Sequence, residues 1–130
     1  MTLLSWVRRP WWLAVPLMLC LGCGSGQSAR PTDPGQALQT LRVVLDAWKA
    51  GETPQRLESR TPAIHVADPD WSAGFSLVGY QADSAGRLVG YDMNYPVVLE
   101  LKDAKGRSLK KEAVYVITTA PMFLVLRQEG

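Results

Sequence analysis

Apolar and polar positions change their rhythm three times along this chain. An apolar run, interrupted only by Pro16, extends from Trp11 to Leu21. At 11 residues it falls well short of the roughly 20 that a membrane-spanning helix needs. After a Gly/Ser-rich stretch the spacing becomes helical. Leu38, Leu41, Leu45 and Trp48 recur at three and four residues, with Val44 beside them, while Gln36, Gln39, Arg42, Asp46 and Lys49 fall mostly off the stripe. Asp33 stands in the N-cap position, Pro34 follows where its missing N–H costs nothing, and Gly51 supplies the stop. A second, short helix is expected from Thr53, with Pro54 in its first turn and Leu57 facing inward, and Pro62 keeps it short.

From there the pattern has the period of two that marks strands. "AIHVAD", "GFSLVGYQAD", "RLVGYDMNYPVVLELKD", "LKKEAVYVITT" and "MFLVLRQ" are each rich in aromatic or β-branched residues. Val97, Leu99 and Leu101 should face a core while Glu100 and Lys102 face water. The segment Arg87 to Lys102 is too long for one straight strand, so Pro96 is expected to mark a bend or bulge. "MFLVL" is apolar on both faces and belongs inside the sheet. Asp83-Ser-Ala-Gly86-Arg87 and Asp103-Ala-Lys-Gly106-Arg107 read as matching turns, with Asp at the first position and Gly in the left-handed one. One acid in each, at the wrong spacing, does not make a calcium loop. The expected fold is α+β: one long N-terminal helix packed on a curved antiparallel β-meander of about four strands, spanning residues 33–130.

Charge changes the picture little. The formal net charge is +2, but Arg8 and Arg9 lie before the apolar run, and the remainder carries 12 basic against 12 acidic residues. No charge excess points to nucleic acid. A basic start, a short apolar run and small residues after it together form a secretory signal. A twin-arginine signal is the less favoured variant, because Val7 and Pro10 do not suit that motif.

The only two cysteines are Cys20 and Cys23. "LCLGC" resembles the lipobox of bacterial lipoproteins, with small Gly22 before the modified cysteine and aliphatic Leu21 upstream; Cys20 departs from the pattern by standing where leucine is usual. Cys20 is preceded by bulky Leu19, so it does not fit as the lipid site. The resemblance implies that residues 1–22 are removed, and that Cys23 becomes the first residue, carrying thioether-linked lipid and an N-acyl chain such as palmitate. Two or three acyl chains anchor a protein stably where one is marginal. The alternatives are a redox or zinc C-x-x-C, which lacks a second Cys/His pair, and plain secretion to the periplasm with cleavage among Gly24 to Ala29. Residues 24–32, "GSGQSARPT", read as a flexible tether with a typical reach of about 16 Å and at most about 30 Å. With Cys23 acylated, no disulfide forms and no Cys–His nucleophile exists.

The order of one helix followed by a meander is similar to the cystatin-like and NTF2-like α+β group. "LDAWKAG" leading through a Pro-rich step to "VADPDWSAGFSLVGYQ" also resembles small bacterial lipoproteins. The Gln-x-Val-x-Gly loop of cystatin-type inhibitors is missing: the nearest stretch is Ser76-Leu-Val-Gly-Tyr. No residue aligns with the acidic, tyrosine or histidine pocket groups of NTF2-like enzymes.

Few residues carry candidate chemistry. His65, the only histidine, could join Asp68 and Asp70 in a metal or acid–base site; an outward strand residue followed by an Asp-Pro-Asp turn is the plainer reading. Trp71, Phe75, Tyr80, Tyr91 and Tyr95 could line a pocket or a partner face, though core packing accounts for them as well. Lys105, Arg107, Lys110 and Lys111 could touch lipid headgroups or simply guard a sheet edge. There is no Gly-rich phosphate loop and no Gly-x-Ser-x-Gly elbow, so neither catalysis nor a cofactor is expected. The resulting expectation is a lipoprotein on the periplasmic face of an outer membrane, held by Cys23, with an accessory role and an envelope protein as partner. The alternative is a protein that binds a small ligand between helix and sheet.

Overall fold

The computed structural model describes residues 30–128. The leader, Cys23 and most of the tether lie outside that range. Three helices precede or interrupt a six-stranded sheet: α1 (Pro34–Lys49), α2 (Pro54–Glu58), β1 (Ile64–Ala67), α3 (Pro69–Ser72), β2 (Ser76–Ala82), β3 (Arg87–Val89), β4 (Asp92–Lys102), β5 (Ser108–Thr118) and β6 (Phe123–Gln128).

Helix α1 begins where the sequence places it. The Asp33 carboxylate accepts the Gln36 N–H at 2.9 Å, satisfying a donor that the first turn leaves free. It ends in a Schellman motif. Gly51 takes φ +85° and donates to the Trp48 carbonyl at 3.0 Å, while Glu52 donates to that of Ala47 at 2.9 Å. Leu41, Val44, Leu45 and Trp48 are buried together with Ala37, Thr40 and Ala47, whereas Leu38 sits half-buried at the rim.

The sheet differs from the expected four-stranded antiparallel meander. Its order is β1-β6-β5-β4-β2, with β3 also paired to β4. Strand β1 runs parallel to β6, Ile64 opposite Phe123, so the sheet is mixed. A β6 that is apolar on both faces has a neighbour on each edge, and β1 supplies the second. A third helix, α3, replaces the turn expected at Asp-Pro-Asp.

The segment Arg87–Lys102 is also two strands. They meet at a two-residue hairpin in which Gly90 has φ +63° and Tyr91 a negative φ, the type II′ arrangement that matches strand twist. Pro96 causes no bulge in its pairing with β5, since its register with Val114 is continuous with its neighbours. Its carbonyl accepts the Asp83 N–H at 3.0 Å. A strand residue's N and O point to the same edge, so the missing N–H faces the gap where β2 ends and β3 begins. The bulge lies instead in β2, at Val78.

Met93, Tyr95, Val97, Leu99 and Leu101 of β4 alternate inward, meeting Tyr115 and Ile117 of β5 and Val125 of β6. Leu41, Leu45, Leu99, Tyr115 and Ile117 are fully buried and fill the space under α1. The strand directions define two ends of the molecule. One holds the start of α1, the β3–β4 hairpin and the β5–β6 turn; the other holds the end of α1, α3 and the β4–β5 turn.

Candidate functional site

At the second of these ends α3 closes over the sheet. Asp68 caps it: its Oδ1 accepts the Asp70 N–H at 3.0 Å and the Trp71 N–H at 3.3 Å. Its side chain is 1% exposed, so the carboxylate requires compensation. Two strands provide it. Arg127 of β6 donates from Nη1 to Asp68 Oδ1 at 3.1 Å, and the Tyr115 hydroxyl of β5 donates to Oδ2. Arg127 also pairs with Asp70, which accepts from Lys111 Nζ at 3.1 Å. Two carboxylates thus face two cations and one phenol.

Burial pushes the Tyr115 phenol up, and the adjacent Asp68 charge pushes it further, so it remains a neutral donor. Desolvation acts to raise the Asp70 carboxyl, but hydrogen bonds from Arg127 and Lys111 outweigh it and hold the group below its ordinary 3.8. Burial acts against the Arg127 charge, and Asp70 and Asp68 together more than restore it. Every Asp68 oxygen is already engaged by donors. The arrangement is a lock joining α3, β5 and β6.

Of the three sequence candidates, Asp68 and Asp70 come together and His65 does not. His65 lies in β1 next to inward-facing Ile64 and therefore on the other face; its Nδ1 is 3.9 Å from Glu58 Oε1, both side chains about half exposed. Among the described residues no group of three or more His, Cys, Asp or Glu is placed to hold a metal ion.

Tyr115 and Arg127 were not anticipated from the sequence, and Lys111, grouped there with the basic residues of the β4–β5 turn, pairs instead with Asp70. One signal was present: Phe123, Val125 and Arg127 alternate on one side of β6, so Arg127 is a charge at an inward position and needs a buried partner.

The aromatic group divides. Trp71 stacks on Trp48 with centroids 5.4 Å apart and planes 10° from parallel. Trp48 Nε1 donates to the Phe75 carbonyl at 2.8 Å and Trp71 Nε1 to that of Glu52 at 3.1 Å. Tyr95 is buried and donates to the Pro34 carbonyl at 2.9 Å; Tyr80 donates to Asp46 at 2.7 Å; Tyr91 is exposed. The basic group is largely paired: Arg107 with Asp103, Lys110 with Glu100 at 4.0 Å and Lys111 with Asp70.

On the sheet face away from α1, a depression of about 710 Å³ is lined by Gln81, Pro96, Val98, Glu112, Val114 and Gln128 among others. No protein family, curated protein or solved structure matches the chain.

Proposed function

We propose that the mature protein is a lipid-anchored envelope protein with an accessory, partner-binding role, held through Cys23 at the periplasmic face of an outer membrane. The observation that carries this reading is the short basic and apolar leader ending in Leu21-Gly22-Cys23, followed at once by a Gly/Ser-rich segment. Gly24 after the cysteine, rather than Asp, favours onward sorting from the inner membrane. The folded part suits the role: its densest cluster of charged groups is spent on internal pairing, and a helix-plus-sheet domain of cystatin-like or NTF2-like kind remains the working description of its finer architecture.

The mass of the mature N-terminal peptide tests the anchor. The expected product begins at Cys23 and carries diacylglyceryl and N-acyl additions; an unmodified peptide beginning after Cys23 overturns it. A second reading, small-ligand binding, has the open depression beside Val98 and Val114 in its favour. A ligand found by thermal-shift screening, with its stabilisation abolished by Val114→Glu, would move the assignment to that reading.

A further inference from the structure

Six large apolar side chains are exposed among the described residues: Val78, Leu88, Val89, Tyr91, Leu109 and Met122. Four of these gather at one end. Leu88 (53% exposed), Val89 (50%) and Tyr91 (57%) form the β3–β4 hairpin, and Met122 (51%) lies in the β5–β6 turn. Thr118, at the start of that turn, donates to the Asp92 carboxylate beside the hairpin at 2.8 Å, which fixes the two turns next to each other. Between the hairpin and the first turn of α1 a depression of about 380 Å³ continues the apolar surface past Leu38 and Met93.

The same end receives the chain from Cys23. The Thr32 N–H donates to the Tyr91 carbonyl at 2.9 Å, so the polypeptide enters the fold on the hairpin itself. Thr32 lies nine positions after Cys23, a span of at most about 30 Å and typically about half that. A lipid on Cys23 therefore brings this end, and not the other, against the bilayer.

We propose that the Leu88–Tyr91 hairpin and the Met122 turn form a membrane-contact surface that seats the domain end-on on the lipid. The proposal rests on acylation of Cys23. The occupant is a lipid surface, because the patch is apolar, ends in a tyrosine of the kind that settles at headgroup level, and lies within the tether's reach. Attraction to anionic headgroups is not what holds it. Asp33, Asp83 and Asp92 flank the surface against exposed Arg30 and Arg87, so the contact should persist when salt is raised. The β4–β5 turn, with Lys105, Lys110 and Lys111 around it, lies at the far end.

Site-directed fluorescence tests this with the full mature chain. Leu88→Cys, Tyr91→Cys, Met122→Cys and, at the far end, Lys105→Cys each add one thiol on an exposed position, and acylated Cys23 is blocked to the probe. Each labelled protein is placed in phosphatidylethanolamine/phosphatidylglycerol vesicles containing nitroxide-bearing lipid, and the N-terminal peptide of each sample is weighed. The expected result is blue-shifted, nitroxide-quenched emission at 88, 91 and 122 and water-like emission at 105, unchanged by added salt. An acylated chain with water-like emission at 88, 91 and 122 overturns the contact and leaves the anchor standing. An unacylated chain whose labels at 88, 91 and 122 still enter lipid removes the anchor and supports the contact; an unacylated chain with water-like labels removes both.

Discussion

Gly86 and Gly106 occupy the same place in two turns that look alike, and they are glycine for different reasons. Gly106 has φ +80° with open space where a Cβ would stand, and Asp103 holds its turn by accepting from Lys105 and Arg107. Gly86 is not left-handed, contrary to the expectation from the Asp-x-x-Gly spacing. A Cβ there would lie 2.3 Å from Cε1 of Tyr95. That ring is buried and tied by its hydroxyl to Pro34, so it has nowhere to retreat. Gly86→Ala should therefore lower stability by about 1–3 kcal/mol, the usual cost of overpacking, read from urea unfolding midpoints. Gly106→Ala should lose about 1–2 kcal/mol, from backbone strain alone, and Gly106→Asn should recover part of that. The same rescue by asparagine at position 86 would show that the Tyr95 contact is not what demands glycine. The motif was legible in the sequence; the ring that makes Gly86 obligatory belongs to a residue across the hairpin and was not.

At the scale of elements, α3 is a single turn that could not persist alone. It exists because Asp68 caps it and because Arg127 and Tyr115, each more than 45 residues away in sequence, neutralise and bind the cap. Arg127→Ala leaves two carboxylates facing each other beneath α3 with only Lys111 as counter-ion. Breaking a buried pair in this way costs about 3–5 kcal/mol, and loss of the near-ultraviolet signal of the stacked Trp48 and Trp71 should accompany it. Unaltered unfolding of that variant would mean the cluster is incidental to the fold. Asp70 also makes stability depend on pH. Its folded-state value lies below the ordinary 3.8, so its contribution is complete above that pH and is lost as pH falls through the folded value. Asp70→Asn should flatten the acid limb of stability against pH. On the alkaline side Tyr80, pushed up to about 12 by burial and by Asp46, ties β2 to α1. Its contribution is intact below about pH 10 and disappears as pH rises to 12. Phenolate absorbance should show one fewer late-titrating tyrosine in Tyr80→Phe, together with a shallower alkaline loss of stability.

For the whole molecule, local rhythm reached only as far as neighbours in sequence. The helix stripe, its caps, the inward side of β4 and the interior place of β6 followed from spacing, because period and turn chemistry are short-range. The pairing of β1 with β6 did not, since its partners lie almost 60 residues apart and a parallel pair leaves no hairpin signature. The hairpin at Gly90-Tyr91 was hidden in a run of strand formers without the usual Asn-Gly. Hydrogen exchange discriminates between the two topologies. In a strand the N–H groups of alternate residues point to opposite edges. If β6 were an outer strand paired to β5 alone, every second amide from Phe123 to Gln128 would exchange as an unprotected edge. With β1 on its other side, Leu124, Val125 and Leu126 should all be slow. The most resistant amides should be those of Ala113–Ile117 in β5, which is flanked by β4 and β6 and contains fully buried Tyr115 and Ile117. Strand β3 is held by three residue pairs on one edge, and its amides should open first. Alternating protection along β6, with β1 as fast as β3, would remove β1 from the sheet and return the fold to the antiparallel meander that sequence periodicity implies.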